Sequence, residues 1–183
     1  MRLKRQHVSI AIVIAALLIL LLVWRSKKAP VFEPSHRIIK TLEKAGPPWA
    51  YPNPSRTPGL ANPDITQANI GETICNPNWS TESIRPPASY TTKLKKAQMQ
   101  QWGLPGNVSD YEEDHLVSLE LGGDPRNPKN LWPESYKLKP GAKEKDVVEK
   151  YLHKQVCAGT MTLAEAQRAI ATDWYRVYLT LRR

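Results

Sequence analysis

Seventeen consecutive residues, "VSIAIVIAALLILLLVW" from Val8 to Trp24, carry a single serine as their only polar side chain. A helix made of them is apolar all round, so it belongs inside a bilayer or a large core rather than on a surface. The run is at the short end of a membrane span, which takes roughly 17–25 residues. A cleaved signal peptide is the competing fate, but its apolar part is usually about 7–15 residues and ends in a small-x-small site. Here "WRSKKAP" follows instead. An uncleaved single-pass anchor over residues 1–28 is therefore expected, with Trp24 at the interface. Three basic residues lie on each side of the run, Arg2, Lys4 and Arg5 before it and Arg25, Lys27 and Lys28 after it. The positive-inside rule thus barely discriminates, and the free amine tips the N-terminus towards the cytoplasm. The rest of the chain is then expected on the periplasmic or other extracytoplasmic side of the membrane.

The same segment explains the charge. The formal net charge is +9, but the first thirty residues hold six basic side chains and no acid, leaving only +3 for everything after them. The basic balance is mostly a membrane flank and argues weakly for a polyanionic partner. A chain of 183 residues has room for one domain with a real core. Residues 29–72, with "APVFEPSH" and "AGPPWAYPNPSRTPGLANPD", are rich in proline and lack apolar periodicity. They read as a stalk, although Trp49 and Tyr51 offer surface that can pack on the domain. The domain itself is expected over residues 73–183, and the chain has no internal repeats.

Within that domain "SYTTKLKKAQMQQWGLPG" predicts a helix from about Tyr90 to Trp102, stopped by Gly103 and Pro105. "SDYEEDHLVSLEL" has the composition of a short strand with an irregular continuation. "LGGDPRNPKN" is turn chemistry, and "NLWPE" allows a second very short strand. In "GAKEKDVVEKYLHKQVCAG", Val148, Leu152 and Val156 form one helical stripe, while Asp146, Glu149 and His153 share another. "TLAEAQRAIATDWYRVYLTL" opens on the capping box Thr162-x-x-Glu165, and Leu163, Ala166, Ile170, Trp174, Val177 and Leu181 recur at core spacing. Helices with two short strands make an α+β domain.

Candidate chemistry concentrates at residues 110–124, where Asp110, Glu112, Glu113, Asp114, Glu120 and Asp124 surround His115. Carboxylates raise an imidazole's basicity, and a bound cation would offset their mutual repulsion. The oxygen-rich set suits a hard ion such as Mg²⁺ better than a thiolate-ligated zinc, although an Asp-His pair with acidic neighbours is also what a solvated strand edge looks like. His7 and His36 fall in the anchor and stalk. Lys143 and Lys145 read as surface lysines unless they face phosphate, Trp132 and Pro133 as packing beneath the loop, Gly122 and Gly123 as turn residues, and Glu120 as a possible orienter of the loop or the histidine. The only two cysteines, Cys75 and Cys157, have no C-x-x-C spacing and are too few for a thiolate zinc site. Outside the cytoplasm they can form one disulfide; in a reducing compartment they would be two buried thiols.

Asp114-His115, a Gly-Gly and Asp-Pro turn, Asn130-Leu131 fifteen residues after the histidine, and then a helix together resemble the HNH branch of the His-Me finger (ββα-metal) nucleases. The wider pattern "EEDHLVSLELGG", "NLWPE", "KDVVEKYLHKQVCAG" and "AQRAIATDW", preceded by "ICNPNW" and "SIRPP", is similar to a group of bacterial HNH-like proteins and covers Ile74 to Trp174. The resemblance implies a ββα-metal core with added helices. It implies that Asp114 holds a divalent metal, Mg²⁺ or else Mn²⁺, that His115 is the general base activating water, and that Asn130 pins the loop to the histidine strand. The third letter of the motif would fall on Leu138 or Lys139, neither of them a ligand. The remaining metal ligand is then expected from Asp146, Glu149 or His153 on the helix, or from water.

The expected activity is that of a membrane-anchored, metal-dependent endonuclease acting on nucleic acid, with DNA ranked ahead of RNA and RNA left open, and needing no small-molecule cofactor. A catalytically inactive module of the same fold is the alternative from another class. A Cys-His hydrolase built on Cys75 or Cys157 with His115 is a third, and a disulfide would remove its thiol.

Overall fold

A computed structural model describes residues 44–182; the apolar run, His7 and His36 lie outside the described residues. Among the described residues there are three α-helices and two strands: α1, Ala88–Trp102; β1, Tyr111–His115; β2, Leu131–Ser135; α2, Ala142–Cys157; and α3, Leu163–Leu181. The strands pair antiparallel as a two-stranded sheet, with Tyr111 opposite Ser135, Asp114 opposite Trp132 and His115 opposite Leu131. The fold is mixed helix and strand. None of these helices is long and apolar enough to cross a membrane.

A sheet this small cannot stand alone, so the helices supply most of the core. Val148, Leu152 and Val156 are buried along one stripe of α2, facing Leu163, Ala166, Ile170 and Trp174 of α3. Each such side chain contributes about 1.5–3 kcal/mol on burial. Gly159, at φ 71°, turns the chain between the two helices. The expected capping box starts α3: Glu165 N–H donates to Thr162 Oγ1 (3.2 Å), and Thr162 N–H donates to Glu165 Oε2 (2.8 Å). The first of the three helices ends where expected, with Gly103 taking the left-handed conformation at φ 65°.

The proline-rich stretch contributes more to the packing than its composition indicates. The packed unit takes in residues well before Thr73, because Ala50, Tyr51 and Ile65 are buried in the core, while Trp49 stays half exposed. Its attachment point is a break in α3. Asp173 leaves helical geometry (φ −158°, ψ 71°), and its carboxylate accepts hydrogen bonds from Ala45 N–H (2.8 Å) and the Tyr51 hydroxyl (2.5 Å). Trp174 Nε1–H donates to Ala50 O at 2.6 Å. Cys75 and Cys157 lie at disulfide distance with their Cα atoms 5.4 Å apart, so the segment before α1 is fastened to the end of α2.

Candidate active site

β1 delivers Asp114 and His115 to its C-terminal end, and the fifteen-residue connection to β2 folds back over them. Asn130 holds that connection in place. It is fully buried, its Oδ1 accepts from Val117 N–H (2.9 Å), and its Nδ2 donates to Val117 O (3.0 Å) and Asp124 O (2.9 Å). Backbone approach is so close that a Cβ on Gly123 would lie 1.8 Å from Val117 O, so only glycine fits there. The Asp124 side chain accepts from Arg126 N–H and Asn127 N–H, which folds the turn so that Pro125 O faces the histidine.

His115 is 5 % exposed, and its Nε2 lies 3.0 Å from Pro125 O. A carbonyl only accepts, so Nε2 carries the hydrogen and the neutral ring keeps its lone pair on Nδ1. Burial lowers the imidazole's pKa from the ordinary 6.5; the bond to Pro125 and the charge of Asp114 oppose that, while Lys145 and Arg85 reinforce it. The ring is therefore neutral at pH 7 and able to accept a proton.

Beside it, Lys145 departs from the surface position expected of it. Only 1 % exposed, it reaches from α2 and donates all three ammonium hydrogens: to Asp114 Oδ2 (2.6 Å), Glu149 Oε1 (2.5 Å) and the backbone oxygen of His115 (2.8 Å). The Lys145–Glu149 spacing of four places both groups on one face of α2, and the Lys145 side chain reaches from there to the end of β1. Burial alone would drive the proton off Lys145, but Asp114, Glu149 and Glu134 hold its pKa above the usual lysine value. Burial likewise pushes Asp114 up, and Lys145 with a hydrogen bond from Glu134 more than reverses it, leaving Asp114 ionised. Glu134, 1 % exposed, finds no donor for either oxygen as an anion. Burial and the charge of Asp114 raise its pKa well above the carboxylate range, and the protonated acid donates to Asp114. Burial also raises Glu149, to about 7, against the pull of Lys145.

The structure brings four of the expected site residues to one cavity of about 200 Å³: Asp114, His115, Asp146 and Glu149 line it, with Glu112, Glu120, Arg85 and Lys150. Asn130 stands behind it as the loop pin. His153 is elsewhere on α2, donating from Nε2 to Ile74 O (2.7 Å) next to Cys157. Two residues went unforeseen: Arg85 lies in the quoted "SIRPP" and Glu134 in "NLWPE", without any spacing rule to single them out. Lys145, expected at the surface, has its acidic partner at i+4 as the signal for its true place.

Donor geometry bears on metal binding. Among the described residues, Cys75, His153 and Cys157 form the one group of three Cys, His, Asp or Glu side chains whose ligand atoms converge within 4.8 Å, and there the two sulfurs are at disulfide distance from each other. The carboxylates around Asp114 do not converge in that way; they surround an ammonium group. No family model, curated protein or solved structure matches the chain.

Proposed function

We propose that the chain is a membrane-anchored hydrolase of nucleic-acid phosphodiester bonds, with DNA ranked ahead of RNA as substrate and with His115 as its general base in the manner of the HNH-like proteins it resembles. The observation that carries this reading is the placement of His115: its Nε2 lies 3.0 Å from Pro125 O, which makes Nδ1 the ring's accepting nitrogen, and the residue lines the cavity beside Asp114. In the reaction, Nδ1 takes a proton from a water molecule as its oxygen bonds to phosphorus, the P–O bond to one sugar oxygen breaks, and that leaving oxygen takes a proton from solvent water. Arg85 and Lys150, on the wall of the same cavity, meet the negative charge of the phosphate. Asn130 acts through the loop, keeping Pro125 O where it fixes the imidazole.

The residues present do not fit the divalent ion that the resemblance implies. Asp114 already receives the Lys145 ammonium at 2.6 Å. A dication bound to that carboxylate would stand about 4 Å from the ammonium, a gross repulsion of roughly 8 kcal/mol at an effective dielectric of ~20. The mechanism is accordingly derived from the protein's own groups.

The anchor rests on the apolar run Val8–Trp24, and an extracytoplasmic domain is supported by the cysteine pair at disulfide distance. One observation favours an inactive binding module instead: all three Lys145 hydrogens are taken up inside the protein, as in a purely structural ion cluster. Incubation of the purified full chain with plasmid DNA and with structured RNA separates the two readings. Cleavage supports the hydrolase, and intact substrate in every divalent metal and in chelator removes it.

A further inference from the structure

The acid cluster at the end of β1 has a cation, and the protein itself provides it. Lys145 meets three oxygens from two elements, Asp114 Oδ2 and His115 O on β1 and Glu149 Oε1 on its own helix, at 2.5–2.8 Å. Those are N–H···O distances, and three contacts match the three donors of an ammonium. Mg²⁺ asks for six oxygens at about 2.0–2.1 Å in an octahedron. Resting on the hydrolase reading above, we propose that Lys145 permanently occupies the cation position of Asp114, so that this site works without a divalent metal.

The position of Lys145 follows from the helix that carries it. Val148, three residues on, is fully buried, so the helical turn bearing Lys145 is fixed against the core. Its aliphatic stem is buried with it, and the ammonium arrives between β1 and α2 as a tether. In that place it keeps Asp114 ionised, as a bound dication would, and it also holds the backbone oxygen of the base, His115. Lys145 is thus a positioning residue. Its hydrogens are all engaged, so contact with the phosphate falls to Arg85 and Lys150.

The test pairs a binding measurement with an activity measurement on the full chain. Electron paramagnetic resonance of added Mn²⁺ reads occupancy directly. The parent should leave the Mn²⁺ signal that of the free ion, and its DNA cleavage should change less than about two-fold on adding EDTA. Lys145→Met keeps the stem and removes the charge, opening Asp114 and Glu149. That variant should bind Mn²⁺, lose the binding again when Asp114→Asn is added, and cleave DNA only when the metal is supplied. Tight Mn²⁺ binding by the parent that disappears in Asp114→Asn would overturn the proposal, as would parent cleavage abolished by EDTA and restored by Mg²⁺; either leaves the hydrolase reading intact. A parent that cleaves nothing under any condition removes the hydrolase reading instead, and its Mn²⁺ spectrum still decides who holds Asp114. If Lys145→Met does not fold, the parent's spectrum and chelator response decide alone.

Discussion

Replacing Asn130 with alanine tests how the loop over the histidine is held. The wild-type side chain makes three hydrogen bonds, to Val117 N–H, Val117 O and Asp124 O, from a fully buried position. Each bond is worth about 1 kcal/mol net, and a buried polar group left without a partner costs about 1–3 kcal/mol. Val117 is 2 % exposed, so water cannot reach its amide unless the loop opens, whereas Asp124 O is partly accessible and can be hydrated. Together these give an expected loss of about 4 kcal/mol. Urea denaturation followed by tryptophan fluorescence measures it. The loop also carries Pro125, so the imidazole loses its fixed orientation, and the cleavage rate of still-folded protein should drop by about 10²-fold. A stability loss below about 1 kcal/mol, with the loop's amide protons still protected from exchange, would refute the view that Asn130 pins this connection.

Two further perturbations have signs fixed by the structure. Burial raises the Glu113 carboxyl from 4.5 to about 8, partly relieved by Lys95, and neither of its oxygens has a hydrogen-bond partner. A raised folded-state pKa means stability that is complete below about 4.5 and is lost as pH rises through about 8. Glu113→Gln removes that loss, so between about pH 5 and about pH 9 the variant should gain on the parent by about 4 kcal/mol in urea melts; parallel profiles would contradict it. Reduction of the cysteine pair, separated by 82 residues, should lower stability by about 4.5 kcal/mol, seen as a shift of the urea midpoint in reductant, and an unmoved midpoint would show that the pair does not constrain the fold.

What was legible in the sequence was whatever obeys a period or a local rule. The stripes Val148–Leu152–Val156 and Leu163–Ala166–Ile170–Trp174 are where helical spacing puts them, and Thr162 with Glu165 caps as its pattern requires. The two strands are short but bounded by recognisable turns, and the resemblance singles out Asn130, whose side chain bonds Val117 and Asp124. Long-range pairing was harder. Lys145 reads as a surface residue because charge ordinarily means exposure; it is buried because three oxygens from two elements meet there, and only Glu149, four residues on, is near it in sequence. The proline-rich segment hid its packing for the opposite reason. It has no periodicity, since Tyr51 and Ala50 dock singly, on Asp173 and Trp174, more than a hundred residues away. Nothing in "ATDWY" announces that Asp173 breaks its helix.

The central claim, that His115 is the base of a hydrolytic site, is tested most directly by a single-turnover cleavage rate for His115→Ala beside the parent, each checked for its folded state by circular dichroism. Loss of the Nδ1 lone pair should slow cleavage of DNA by roughly 10²–10⁴-fold while leaving the spectrum unchanged. A folded His115→Ala protein that cleaves as fast as the parent would contradict the account.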